Sequence, residues 1–108
     1  MQEQEYGEGI YRESGQIYKG VITLSEHKLY LRSPSADIVQ TYIPLEKIIW
    51  IKLAKSRLEL FVRPGISLYY AASFSGAKKK IQSLTEELIQ RRGFKKKFLQ
   101  KVWVENTK

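Results

Sequence analysis

The sequence lacks cysteine altogether and contains one histidine, His27, in 108 residues. Without cysteine there can be no disulfide, no thiolate zinc site and no cysteine nucleophile, and one histidine cannot form a histidine-rich metal site. No apolar run approaches the ~20 residues that a transmembrane helix needs. The first five residues are polar and acidic, unlike a signal peptide. We therefore expect a cytoplasmic protein without a metal or other cofactor.

Catalytic motifs are lacking as well. The acidic residues are scattered, so no spacing indicates a pair of carboxylates for acid–base chemistry. Gly7-Glu8-Gly9 lacks the remainder of a phosphate-binding loop. His27 falls at a predicted hairpin tip without an orienting partner nearby in sequence, which is typical of an exposed turn residue. The sequence therefore predicts a protein that is not an enzyme.

Positive charge is abundant but unevenly distributed. The net charge is +8, and residues 1–75 carry nine Lys/Arg against eight Asp/Glu. Residues 76–108 carry ten Lys/Arg against three Asp/Glu. A local positive field of this kind attracts phosphates and acidic proteins, although it also occurs on helix faces that only keep a protein soluble.

Short strands dominate the first two-thirds of the chain. Hydrophobic residues make up 43% and charged residues 28%, a globular composition. Runs rich in β-branched and aromatic residues, separated by short polar or Pro-Gly turns, favour neighbouring antiparallel strands. The predicted strands are 17–24, 28–32, 38–43, 48–53, 57–62 and 66–72, with a further candidate at 9–13.

One helix is predicted after the strands, over residues 77–92. Its apolar stripe recurs at helical spacing, and Ser73 or Ser75 can cap its start. Gly93 is a typical residue just past a helix end. The stripe consists of Ala77, Ile81, Leu84 and Leu88.

Three segments resemble PH-like domains of the GRAM or bacterial PH type. Residues 18–31 resemble the opening hairpin of the family: a glycine, an apolar strand, a Thr-led turn, then a basic residue, a leucine and an aromatic. The run Ile43-Pro44-Leu45-Glu46-Lys47-Ile48 is similar to the entry into the fourth strand. The third segment is the aromatic and alanine strand ending at Phe74, with the helix that follows. Together they cover about residues 8–93.

The resemblance implies a mainly β fold, namely a two-sheet, partly open barrel of about seven antiparallel strands capped by one C-terminal helix. It implies a PH-like domain at 1–93, followed by a basic-aromatic extension at 94–108. It also implies a binding module for phospholipid head groups, peptides or like subunits. The basic pattern of phosphoinositide-binding members is incomplete, because Lys28 is followed by Leu29-Tyr30-Leu31-Arg32.

The extension mixes lysines with large apolar residues, and three interpretations remain open. Phe94 can pack on the helix with the remainder only partly ordered. Residues 102–104 can form a strand that adds to a sheet edge of this chain or of a partner. The lysines and aromatics can also contact an anionic membrane.

The aromatic residues of the strands are expected mainly in the core. The alternative is a nucleic-acid stacking platform, because Lys28, Tyr30 and Arg32 share one predicted strand face.

The leading hypothesis is a non-catalytic module for protein binding or self-association. The alternative is peripheral binding to anionic phospholipids, at the inner face of a membrane, and nucleic-acid binding ranks third. The candidate basic surface comprises Lys78, Lys79, Lys80, Arg91, Arg92, Lys95, Lys96, Lys97 and Lys101. The candidate apolar contacts of the tail are Phe94, Phe98, Leu99 and Trp103.

Overall fold

The computed structural model describes residues 3–35, 38–97 and 101–104, which form a mainly antiparallel β fold with one α-helix. A short 3-10 turn, Leu45–Lys47, connects the fourth strand to the fifth. The strands are β1 (Gln4–Glu13), β2 (Gln16–Leu24), β3 (Lys28–Arg32), β4 (Val39–Pro44), β5 (Ile48–Ala54), β6 (Arg57–Val62), β7 (Tyr70–Gly76), β8 (Lys95–Lys96) and β9 (Val102–Val104). The helix α1 spans Lys78–Arg92 and follows β7, as predicted.

The described strands form one open sheet in the order β4-β3-β2-β1-β7-β6-β5-β9-β8. The expected two sheets and about seven strands are therefore wrong in two respects. The sheet is continuous because β1 pairs with both β2 and β7. The strand count rises to nine because β8 and β9 come from the extension.

Strand β1 bends just before the segment that pairs with both β2 and β7. Its pairing with β2 shifts register between Glu5 and Glu8, a β-bulge that adds a residue to β1. Gly7 lies inside this bulge at φ +83°, a conformation that other residues rarely adopt. The bulge increases the local twist, so the sheet curves around a shared core.

The core lies on the inner face of this curved sheet. It contains buried residues from all of β1 to β7, for example Tyr11 and Phe74, whose ring centroids are 5.0 Å apart. Helix α1 adds Ile81, Leu84 and Leu88, all fully buried, which confirms the predicted stripe at these positions. Burial of each such side chain contributes about 1.5–3 kcal/mol to folding.

The ends of α1 differ in how well the sequence predicts them. The start lies later than expected, because Ser73 and Ser75 still belong to β7; the residue before the helix is Ala77, without a side-chain cap. The end agrees with prediction, since Gly93 has a left-handed φ of 65° and donates its N–H to the helix.

In the described part of the chain, no helix combines the length and apolar character needed to cross a membrane.

The connection before β7 is the largest departure from the predicted strands. A strand was expected at 66–72, but residues 66–69 are a loop and β7 begins at Tyr70. The pairing of β7 with β6 sets this register, because it puts Ala72 and Phe74 on the inner face opposite other core residues. The apolar residues before Tyr70 are consequently left outside the core.

Candidate interaction surfaces

The predicted basic residues of α1 are divided between the two ends of the helix. Lys78, Lys79 and Lys80 form its exposed first turn, whereas Arg91 and Arg92 form its last. A 15-residue helix separates its ends by about 21 Å, so these residues do not form one surface.

The two arginines hold the helix end in place. Arg91 donates through Nε to Glu87 at 2.8 Å and through Nη1 to the Ser25 carbonyl at 2.8 Å. Arg92 donates to the carbonyls of Leu45 and, at 2.5 Å, Ile48. Hydrogen bonds from a charged donor are about twice as strong as neutral ones. Both guanidinium groups therefore fasten α1 to the connections before β3 and β5.

The tail folds back onto its own sheet. Phe94 is buried in the core, and the guanidinium of Arg92 lies 5.0 Å from its ring centroid. Trp103 in β9 lies opposite Ile51 in β5 and packs partly buried against the core. Of the open interpretations, the described residues match strand addition to the chain's own edge. The predicted contacts Phe98 and Leu99 lie outside the described residues.

The start of α1 lies beside the turn between β5 and β6. The Gly76 N–H donates to the Ser56 carbonyl at 3.1 Å, one residue from the exposed Lys55. Lys78 and Lys79 follow two and three residues after Gly76. This contact brings lysines distant in sequence to one end of the fold.

The strands of the tail reach the same end. The Leu53 N–H donates to the Lys101 carbonyl at 2.9 Å, and Lys52 lies opposite Val102. The Lys97 N–H donates to the Val102 carbonyl at 2.7 Å. Lys101 and Lys97 therefore lie beside the C-terminal end of β5.

We call this set the lysine surface: Lys52, Lys55, Lys78, Lys79, Lys97 and Lys101. All six side chains belong to exposed residues, and none has an ion-pair partner among the described residues. Lys80, Lys95 and Lys96 are also exposed, the last two on β8. Sequence reasoning missed Lys52 and Lys55, because only the pairing of β5 with β9 brings them to the tail.

A second surface lies on the outer face of β5 and β6. Trp50 stacks on Phe61 with centroids 5.4 Å apart and planes 12° apart, and Phe61 stacks on Tyr69 at 5.5 Å and 20°. The Arg63 guanidinium lies 5.6 Å from the Tyr69 centroid. These rings face outward because Ile51 and its neighbours on β6 face the core.

The loop between β6 and β7 extends this row. Ile66 is 86% exposed, Leu68 65% and Tyr69 51%. We define the apolar surface as Trp50, Phe61, Ile66, Leu68 and Tyr69. Sequence reasoning missed it, since the loop residues were assigned to a strand and the aromatics to the core.

A groove adjoins the apolar surface where β1 leaves β7. Their pairing ends at Arg12 opposite Ser73, and beyond this point the β1–β2 turn diverges from β7. The groove has a volume of about 330 Å³, and its lining includes Arg12, Ile17, Trp50, Ala71 and Ser73. Trp50 therefore belongs to both the groove and the aromatic row.

The predicted stacking face on β3 is not available to a base. Tyr30 is only 3% exposed, and Lys28 lies 5.3 Å from its ring centroid. Arg32 pairs with Glu5. Tyr30 therefore packs within the fold as expected, whereas Trp50 and Phe61 lie on the outer face.

The titration shifts follow from burial. Burial raises the pKa of Tyr11 above its ordinary value, and its hydrogen bond to Glu13 raises it further. Burial likewise raises the pKa of Tyr6 and Tyr70.

Residues 3–35, 38–97 and 101–104 contain no cluster of three or more His, Asp or Glu side chains that could hold a metal ion.

Comparison with known proteins finds no family model that matches the sequence and no significant match among curated proteins. The surfaces themselves therefore carry the functional argument.

Proposed function

We propose that the chain is a non-catalytic, PH-like interaction module of the GRAM or bacterial PH type that binds a protein partner through the apolar surface. The strand order from β4 to β5, with a single helix directly after β7, supports the PH-like part of the proposal. So do the three sequence segments that resemble the family.

The observation that carries the binding function is the apolar surface, in which the exposed Ile66, Leu68 and Tyr69 adjoin the half-buried, stacked rings of Trp50 and Phe61. Contiguous exposed apolar side chains commonly mark interaction sites. Stacked aromatic rings also lose little conformational freedom on binding, which is why aromatics are enriched at interface centres. Phe94 and Trp103 are used inside the fold, so they do not compete with this surface for the role.

The rim of the surface favours a protein over an anionic bilayer. Both signs of charge line the adjoining groove: Arg12 is exposed, and Arg57 pairs with Glu59 at 3.0 Å. A mixed, polar rim around an apolar centre is the usual anatomy of a protein interface.

A peptide-library selection tests this function without a known partner. Random peptides displayed on phage are selected against the whole chain, and an enriched peptide is titrated into ¹⁵N-labelled protein. We expect shift changes at Trp50, Phe61 and the 66–69 loop. Ile66→Glu should weaken binding at least tenfold, whereas Ile38→Glu, a matched change at another exposed isoleucine, should not. Shift changes confined to other residues, or equal binding by both variants, would overturn the proposal.

The lysine surface supports a second candidate function, peripheral binding to anionic phospholipids at the inner face of a membrane in the cytoplasm. Its six lysines come from three separate segments and have no ion-pair partners among the described residues. Clusters of four to eight basic residues are typical of such contacts, and each contributes about 1 kcal/mol.

A further inference from the structure

The two ends of the sheet differ in how well they resist pairing with another strand. At one end is β8, which has two residues, both lysines. Short strands and lysines are common protections of a sheet edge. At the other end is β4, which has six residues and no charged side chain; its protections are Pro44 at its end and a bulge against β3.

Strand β4 also exposes apolar side chains. Ile38, Val39 and Tyr42 are all exposed, and among the described residues β4 pairs only with β3. An uncharged, exposed edge of this length is a template for another strand.

We propose that the free edge of β4 pairs with β4 of a second copy of this chain, antiparallel and around a twofold axis. This inference rests on the self-association named with the first hypothesis, and it uses a different surface from the proposed partner site. In a twofold pair the same strand serves both copies, so the contact closes as a dimer.

The side-chain directions of β4 fit such a pair. Tyr42 lies opposite Tyr30 and Val39 opposite Arg32, and a bulge falls between these positions. Tyr30 and Arg32 share a face of β3, so the bulge puts Val39 and Tyr42 on one face as well, although they are three residues apart. Opposed residues of an antiparallel pair share a face. Tyr42 of one copy can therefore contact Val39 of the other, and the reverse.

Two polar side chains, Gln40 and Thr41, lie between Val39 and Tyr42, and that of Gln40 is already used. Gln40 donates through Nε2 to the Lys19 carbonyl at 2.5 Å in its own chain. A second strand at the edge therefore leaves this hydrogen bond in place. The contact combines backbone hydrogen bonds with apolar side chains.

Strand β4 itself adds no charged side chain to a contact between two chains of net charge +8. Lys28 of β3 lies 5.4 Å from the Tyr42 ring centroid. The lysine surface lies on β5, the tail and the start of α1, far from β4 in the strand order. One pair of six-residue strands buries less than the ~1,200 Å² of a standard interface, so we expect a micromolar dimer.

Sedimentation velocity over a concentration series, from ~5 to ~500 µM, tests the dimer. The wild type should shift from monomer to dimer, and amides of β4 should gain protection from hydrogen exchange as concentration rises. Val39→Glu should weaken the dimer at least tenfold even though it lowers the net charge. Ile66→Glu makes the same charge change on the apolar surface and should leave the dimer intact.

Each other result overturns the inference. A monomer at every concentration, or loss of the dimer in Ile66→Glu but not in Val39→Glu, would exclude pairing through β4. Circular dichroism of both variants establishes that they fold, and both changes are at exposed positions. The partner-site proposal is judged separately, because peptide binding should fail in Ile66→Glu and persist in Val39→Glu.

Discussion

Trp103 lies directly opposite Ile51 across the pair formed by β9 and β5, and its indole packs against the core. The basic-aromatic tail therefore contributes to the fold through its apolar residues and to the surface through its lysines. Phe94 and Lys95 show the same division, because the Phe94 ring is buried in the core and the neighbouring Lys95 is exposed.

Replacing Phe94 by alanine should lower the free energy of unfolding by about 3 kcal/mol, because it removes a buried aromatic ring from the core. Urea denaturation measures the loss. Lys96→Ala, at an exposed position on β8, should change stability by less than about 0.5 kcal/mol. Equal stability of the two variants would show that the tail does not contribute to the core. The same reasoning predicts that a chain ending at Gly93 is destabilised. The contribution of the tail to vesicle binding should therefore be tested with lysine substitutions and not by truncation.

Arg92→Gln should destabilise the fold by about 1–2 kcal/mol, because the carbonyls of Leu45 and Ile48 lose their charged donor. Arg12→Gln is the matched control, since Arg12 is exposed and has no ion-pair partner among the described residues. Thermal and urea unfolding of both variants measure the difference. If Arg92→Gln is as stable as the control, the end of α1 is held by packing alone.

Binding to vesicles containing phosphatidylserine should depend on the lysine surface. Lys79→Gln combined with Lys101→Gln should weaken binding roughly 30-fold, at about 1 kcal/mol for each lysine. Lys19→Gln combined with Lys47→Gln makes the same charge change elsewhere. Sedimentation with vesicles measures binding, which should fall steeply with salt. If both pairs weaken binding equally, net charge explains the attraction and the lysine surface does not.

Alkaline pH should destabilise the fold through Tyr11. Its pKa is raised in the folded state above the ordinary 10.0, so the folded chain retains a proton that the unfolded chain releases. Stability is therefore fully present below pH 10 and is lost as the pH rises above it. The urea concentration at the unfolding midpoint should be lower at about pH 11 than at about pH 9. Tyr11→Phe should reduce this dependence. Identical pH profiles for the wild type and Tyr11→Phe would exclude Tyr11 as the cause.

Local patterns predicted much of the fold. The helix follows from its apolar stripe and Gly93, and β3 and β6 have the predicted bounds because polar turns flank them on both sides. β7 was misplaced because two partner strands fix its register, and local sequence does not contain that information. The prediction that Ser73 or Ser75 caps the helix was wrong for the same reason, because both residues belong to β7.

The candidate surfaces were predicted less well, for a physical reason. Lys78 and Lys101 stand out within a basic run, but Lys55 joins them only through strand pairing. Trp50 and Phe61 are residue types that are usually found in a core. Only the pairing of β5 with β6 shows that they lie on the outer face, because the neighbouring pair of Ile51 and Leu60 faces the core. Arg91 and Arg92 look like surface cations until their backbone acceptors are known.

The order of synthesis gives the β5–β9 pair a further consequence. The ribosome releases Ile48–Ala54 well before Val102–Val104, so β5 is an uncovered, largely apolar edge until the tail emerges. Such an edge is prone to pair with other chains. A growing chain stalled before Val102 should therefore need chaperone protection that the finished chain does not.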